Sequence, residues 1–270
     1  MLDNPRAARV RGIAKLSQRE ARSETGLFLL EGPQSVSEAL RFRPELVSEL
    51  FITPTALERH PAIGDAAAAA EVEVQFASEQ VIAALADTVT PQGVVAVCRQ
   101  FPTSVKDIFA SDPRLVVVLE EVRDPGNAGT IIRAADAAGA DAVILSGRSV
   151  DLYNPKVVRS TTGSLFHIPV AVAAELPNTV ARAREAGLRV LAADIKGGDL
   201  LTARDAGELG EPTMWVFGNE ARGLTDEALT QVDQVVAVPI YGEAESMNLA
   251  TAASVCLYAS AFAHRSVTKS

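Results

Sequence analysis

The feature that most limits what this chain can fold into is the run LVVVL at 115–119 and the pattern that follows it. Five consecutive apolar residues without polar alternation read as a strand buried on both faces, as in a parallel sheet covered by helices. Asp124, Pro125 and Gly126 then signal a tight turn, and a helix is expected over 128–138. The alternation continues with strand 142–145, a helix near 155–161, strand 167–172 and helix 177–186. Strands 188–193 and 214–217, helix 226–231, strand 235–239 and a long helix 247–264 complete it. Strands alternating with helices in this way predict an open α/β fold.

Upstream, the units are shorter: strands at 27–30, 47–52, 72–76 and 94–98 alternate with helices at 34–42, 54–59 and 79–86. The alanine run at 66–70 reads as the end of a solvated helix. Residues 4–22 read as a helical arm with Val10, Ile13, Leu16 and Ala21 along one stripe. Gln100–Pro113 carries Pro102, Thr103, Ser104, Asp112 and Pro113, a linker composition holding one short helix. The expected division is therefore a small α/β domain over 1–105 and a larger parallel-sheet domain over 106–270.

Composition closes several routes. Two cysteines, Cys98 and Cys256, make no disulfide framework, and with three histidines they make no standard zinc cluster. The apolar stretch 250–263 contains Thr and Ser and is too short to span a membrane. The basic start has no apolar segment behind it, so no secretory signal is expected and a cytoplasmic protein is. The net charge of −9 argues against a nucleic-acid partner, yet it conceals an asymmetry. Arg6, Arg9, Arg11, Lys15, Arg19 and Arg22 stand against only Asp3 and Glu20 in the first 22 residues. Such an arm is either an electrostatic handle for phosphate or a solvated helix face, and charge alone leaves the partner open.

Three segments concentrate the residue types that chemistry needs. Asp124-Pro-Gly-Asn-Ala-Gly-Thr-Ile-Ile-Arg133 follows the buried strand, with Asn127 a candidate helix cap. Gly129 and Arg133, four apart, share a helix face, which sets a guanidinium beside a missing side chain. Phe217-Gly-Asn-Glu-Ala-Arg-Gly-Leu-Thr225 lies between a strand and a helix. Its glycines permit close backbone approach to a ligand, Glu220 sits at the strand end, and Thr225 is a candidate cap. In Val238-Pro-Ile-Tyr-Gly-Glu-Ala-Glu-Ser-Met-Asn-Leu249, Ser246 is a candidate cap and Asn248 lies in the first turn of the last helix. A dinucleotide fingerprint is ruled out: Gly126 and Gly129 are the only glycines of the first turn, and strand 142–145 is followed by Ser146-Gly147-Arg148 rather than an acid.

Taken in this order and spacing, the segments resemble the three signature motifs of the SpoU (TrmH-like) branch of the SPOUT RNA methyltransferases. Asn127, Gly129 and Arg133 match N-x-G-x-x-x-R; Gly218, Glu220, Gly223 and Leu224 match G-x-E-x-x-G-L. Val238-Pro239-Ile240 and Ser246-Met247-Asn248-Leu249 match the third motif with conservative departures, and Arg159-Ser-Thr-Thr-Gly163 is similar to a further family stretch, which suggests RNA binding by Arg159 alongside Arg6, Arg9 and Arg11. The resemblance covers roughly 113–265, and residues before it resemble, more weakly, a small RNA-binding domain. It implies a trefoil-knotted catalytic domain, a homodimer, S-adenosylmethionine as methyl donor and a ribose 2′-hydroxyl of RNA as acceptor. Ribosomal RNA is favoured, with transfer RNA, or a non-catalytic RNA-binding or assembly role, as alternatives. No metal or membrane is implied. By the same resemblance Arg133 acts at the hydroxyl, as base or as electrostatic stabiliser, with Asn127, Glu220, Asn248 and Ser246 around it. Gly218, Val238, Ile240, Met247, Ala193 and Leu249 would hold the donor.

Overall fold

In the computed structural model, which describes residues 1–267, the chain divides into two units. One is formed by Met1–Phe101 with Asp151–His167, the other by Pro102–Val150 with the chain from Ile168 onward. Beside a linear division at 105/106, residues 102–105 group with the second unit, and residues 151–167, which interrupt the second unit in sequence, group with the first.

The first unit begins with α1 (Ala8–Ala14) and α2 (Arg19–Thr25), separated by a 3-10 turn rather than running as one helix. There follow β1 (Leu27–Glu31), α3 (Pro33–Phe42), β2 (Val47–Ile52), α4 (Pro54–Arg59), α5 (Pro61–Ala69), β3 (Val74–Phe76), α6 (Glu79–Leu85) and β4 (Val94–Arg99). The alanine run thus belongs to a helix of its own, with Ile63 and Ala67 buried. The sheet order is β1-β4-β2-β3, antiparallel except for the β2–β3 pair. The arm is part of the core: Val10, Ile13 and Leu16 cluster with Leu29, Phe51 and Val81. Arg22 is only 2% exposed, its guanidinium donating to Asp151 and to the carbonyls of Leu16 and Ser17. Of the three arm arginines expected on RNA, Arg9 pairs with Glu49 and lies over the Phe51 ring, while Arg6 and Arg11 are exposed.

The second unit opens with α7 (Val105–Ala110), β5 (Leu115–Glu120), α8 (Pro125–Ala138) and β6 (Ala142–Ser146). The chain then contributes α9 (Pro155–Thr161) to the first unit, where it packs on β1 and Tyr153 meets Phe28 with ring centroids 4.7 Å apart. It returns as β7 (Val170–Ala174), α10 (Leu176–Glu185), β8 (Arg189–Asp199), α11 (Leu200–Asp205), β9 (Thr213–Phe217), α12 (Asp226–Thr230), β10 (Gln234–Ala237) and α13 (Leu249–Val267). All six strands are parallel, in the order β10-β8-β9-β5-β6-β7.

Leu115 to Leu119 are buried throughout, as an unalternating run requires in a two-sided sheet. Val116 and Val118 face a core with Ile144, Met214 and Val216 under α10. Side chains alternate across a strand, so Val117, Trp215 and Phe217 take the opposite face, where the Trp215 indole N–H reaches Ser260 of α13 at 2.9 Å. Each such side chain contributes about 1.5–3 kcal/mol when fully buried.

Candidate active site

Strand order determines where a site can form. From β5 the chain moves outward through β6 to β7, then returns on the other side as β8 and β9, so β5 and β9 become neighbours. Their carboxyl ends carry the first and second motif segments, and open α/β sheets bind ligands in the crevice at such a reversal. Loops 121–124 and 218–225 are therefore brought together by topology, although 93 residues separate Asn127 from Glu220.

The cap of α8 is Asp124, not Asn127: the Asp124 carboxylate accepts the Asn127 N–H at 2.7 Å, and Pro125 takes the first helical turn, where its missing N–H costs nothing. This frees the Asn127 side chain. Likewise α13 starts two residues later than expected. Asn248, not Ser246, caps it, its Oδ1 accepting the N–H of Ala250 at 2.9 Å and Thr251 at 3.2 Å. Thr225 caps α12 as expected.

These caps fix a directed chain of amides. With Asn248 Oδ1 taken by its helix, its Nδ2 donates to Asn127 Oδ1 at 3.0 Å; Asn127 Nδ2 is then turned to Glu220 Oε1 at 3.4 Å. The Glu220 carboxylate also accepts the N–H of Asp124 at 3.0 Å and of Arg123 at 3.3 Å. One residue from each motif thus meets at one point. Arg133 is on the exposed side of α8, about 9 Å along the helix axis from Asn127 at 1.5 Å per residue.

Beside this junction is a pocket of about 350 Å³. Ala193, Val238, Ile240, Met247 and Leu249 line it, as do Glu220 and Ser246; Asn127, Asn248 and Arg133 do not. Gly218 is also absent from the wall. A Cβ there would lie 2.5 Å from the Gly223 carbonyl carbon, so Gly218 lets the loop cross itself, which Asn219 and Gly223 secure by exchanging backbone hydrogen bonds at 3.2 and 2.8 Å. Sequence reasoning passed over Ile195, Lys196, Asn219 and Arg222 as wall residues, and placed Asp194 only near the donor. The first two had no local signal. They belong to an excursion in β8, which pairs with β10 at Ala192 and again only at Gly198. Gly197 permits it, because a Cβ would meet the Val235 backbone at 2.5 Å. Arg159 lies in the first unit, its guanidinium 2.9 Å from Asp87 and 3.5 Å from Glu31.

Among the described residues no His, Cys, Asp and Glu group could hold a metal ion, and no helix is long and apolar enough to cross a membrane. Both cysteine thiols are buried, which pushes them up to about 12 and leaves them inert at neutral pH.

An open parallel sheet with a partly apolar pocket at its reversal point, closed by polar loops from three motifs, defines an α/β protein built to hold a small ligand against a second reactant. The chain belongs to the SpoU rRNA methylase family, whose model matches residues 114–258. A second model, for the substrate-binding domain of RNA 2′-O ribose methyltransferases, matches 29–104. The chain is 34% identical to a 23S rRNA (guanosine(2553)-2′-O)-methyltransferase of Bacillus subtilis, over 95% of this chain and 97% of that protein. Among solved structures it is similar to an AdoMet-bound rRNA methyltransferase from Sinorhizobium meliloti, with a TM-score of 0.82 and 32% identity over 96% of both chains. It is also similar to the SpoU methyltransferase AviRb from Streptomyces viridochromogenes in complex with AdoMet, with a TM-score of 0.81 and 28% identity over 98% and 100% of the two chains.

Proposed function

We propose that the protein transfers a methyl group from S-adenosylmethionine to a ribose 2′-hydroxyl of ribosomal RNA, as the named relatives do, with the large-subunit 23S RNA as acceptor. The observation that carries this reading is the junction of Asn127, Glu220 and Asn248 beside the pocket.

The pocket suits the donor. Ile195, Val238, Ile240, Met247 and Leu249 offer apolar wall to a purine, and the half-buried Asp194 carboxylate offers an acceptor for hydroxyl or ammonium groups. When bound, the donor supplies a sulfonium methyl that needs no further activation. What the protein must add is alignment of the attacking oxygen and help for a weakly acidic hydroxyl to lose its proton. Glu220 has both oxygens engaged by hydrogen-bond donors; it holds the start of α8 and so positions Asn127. The Arg133 guanidinium offers N–H donors and no acceptor lone pair with which to take a proton. It therefore serves by stabilising the developing alkoxide. Gly218 and Ser246 support the pocket rather than the chemistry.

The same reading takes in a trefoil-knotted threading of the second unit, a homodimer and a cytoplasmic location. Arg6 and Arg11 are its candidates for an outlying RNA contact, tested by substitution because truncation would strip Val10, Ile13 and Leu16 from the core. Single-turnover methylation of 23S rRNA tests the central role. Arg133→Ala should lower the rate by about 100-fold or more while donor affinity and melting temperature hold. Arg133→Lys should also be impaired, because an ammonium lacks the planar fork. A near-normal rate for Arg133→Ala would remove Arg133 from the mechanism.

A further inference from the structure

Three arginines from three loops of the second unit converge on one carboxylate. Arg222 Nη2 lies 2.8 Å from Glu121 Oε2, Arg123 Nη2 3.4 Å from the same oxygen, and Arg148 Nε 3.5 Å from Oε1. They follow β9, β5 and β6, so all stand at the carboxyl end of the sheet where the motif junction is. Glu121 is set to receive them by its backbone. Its φ is +52°, a left-handed conformation that side chains disfavour, and it is held by its N–H to the Ser146 carbonyl and by Asn219 Nδ2 on its own carbonyl at 2.9 Å.

The arrangement is unbalanced as a purely internal ion-pair cluster. Each guanidinium has five N–H donors, far more than one carboxylate can satisfy. The side chains are 53%, 83% and 61% exposed for Arg123, Arg148 and Arg222, so the remaining donors face solvent. Neighbouring carboxylates are engaged elsewhere: Asp124 caps α8 and Glu220 accepts backbone N–H groups. Burial pushes the Glu120 carboxyl above its usual range, with Glu121 and Glu175 adding to the shift. The cluster also borders the site: Arg222 lines the pocket, and the Arg123 N–H is held by Glu220.

We propose that Arg123, Arg148 and Arg222 grip the phosphodiester backbone of the RNA strand flanking the acceptor nucleotide, and that Glu121 keeps the three guanidiniums gathered until phosphate takes them. The inference rests on the function proposed above and adds to it the contact that seats the strand. Guanidinium matches the two free oxygens of a phosphodiester through paired N–H bonds, which a lysine cannot reproduce.

The test is binding of an unmodified 23S rRNA transcript by the wild-type protein, Arg148→Gln, Arg148→Lys and the double variant Arg123→Gln/Arg148→Gln, across a salt series. S-adenosylmethionine titrations and melting temperatures accompany each variant. Each arginine replaced by glutamine should lower the slope of log affinity against log salt by about 0.7–0.9, and weaken binding several-fold at low salt, with donor affinity unchanged. Arg148→Lys should keep the slope but not the full affinity. An unchanged slope in the double variant would overturn the inference and leave a solvated ion-pair cluster. Loss of donor affinity instead would assign the arginines to the donor's carboxylate, which also overturns it. A wild-type protein that binds the transcript but transfers no methyl to it would count against the proposed function alone.

Discussion

The two units use charge in opposite ways. In the first, charge is inside. Arg22 and Glu31 are 2% and 8% exposed, Arg22 bonded to Asp151 and two carbonyls, Glu31 to two backbone N–H groups, Thr88 and Arg159. In the second, the core is apolar, and one cluster of charged groups, held by one another around Glu121 and Glu220, stands at the carboxyl end of the sheet. A buried charge with all partners supplied fixes a fold; an exposed one kept in geometry with donors to spare is available to a ligand. The contrast sets the exposed cluster of the second unit apart and recasts the first unit's basic start, whose helix α1 gives Val10 and Ile13 to the core and keeps its arginines outside.

Removing the buried charge should have the largest effect on stability. Arg22→Met leaves Asp151 and two carbonyls without their donor and should cost about 3 kcal/mol, read as a lowered melting temperature. Equal stability of the variant would place Arg22 among residues the fold tolerates losing. Gly218→Ala should act locally instead. Its Cβ would collide with backbone at 2.5 Å, so the loop must reopen, and donor affinity should drop about tenfold or more with a smaller loss in melting temperature. Unchanged donor affinity would show that the crossing does not shape the pocket.

The smallest effect is expected at a half-exposed charge of the second unit. Burial pushes the Asp233 carboxyl up, but the Val190 N–H and the Arg184 guanidinium outweigh it and hold the carboxyl below its usual range. A group lowered in the folded state adds stability above its unfolded value, near pH 3.9, and that stability is lost as pH falls through the lower folded value. Asp233→Asn should therefore cost under about 1 kcal/mol at neutral pH, and the deficit should vanish in acid. A deficit that did not shrink as the pH fell would mean that the asparagine, not the missing charge, is at fault.

Much of this was legible in the chain. LVVVL at 115–119 announced a two-sided strand, and three motif segments announced the loops that meet at Asn127, Glu220 and Asn248. What escaped depends on contacts that local pattern does not encode. Asn127 and Asp124 are both good caps, and Pro125 decides between them only once the helix start is known. Leu200–Asp205 is a helix too short to show a period, and the β8 excursion that supplies Asp194 and Ile195 follows from pairing with a strand some 40 residues on. Residues 151–167 look like any crossover segment of the second unit. Their place in the first rests on Asp151 and Tyr153 reaching Arg22, Phe28 and Phe101.

The most direct test of the central claim is single-turnover methyl transfer from S-adenosylmethionine to 23S rRNA by the wild type and Asn127→Ala, with the product located by alkaline hydrolysis. A methylated 2′-oxygen cannot attack the neighbouring phosphodiester, so that linkage survives alkali. The wild type should form one alkali-stable linkage, and Asn127→Ala should lower the rate by about 100-fold with donor affinity intact. Methyl transfer that leaves every linkage alkali-labile, or proceeds equally well without the Asn127 amide, would contradict it.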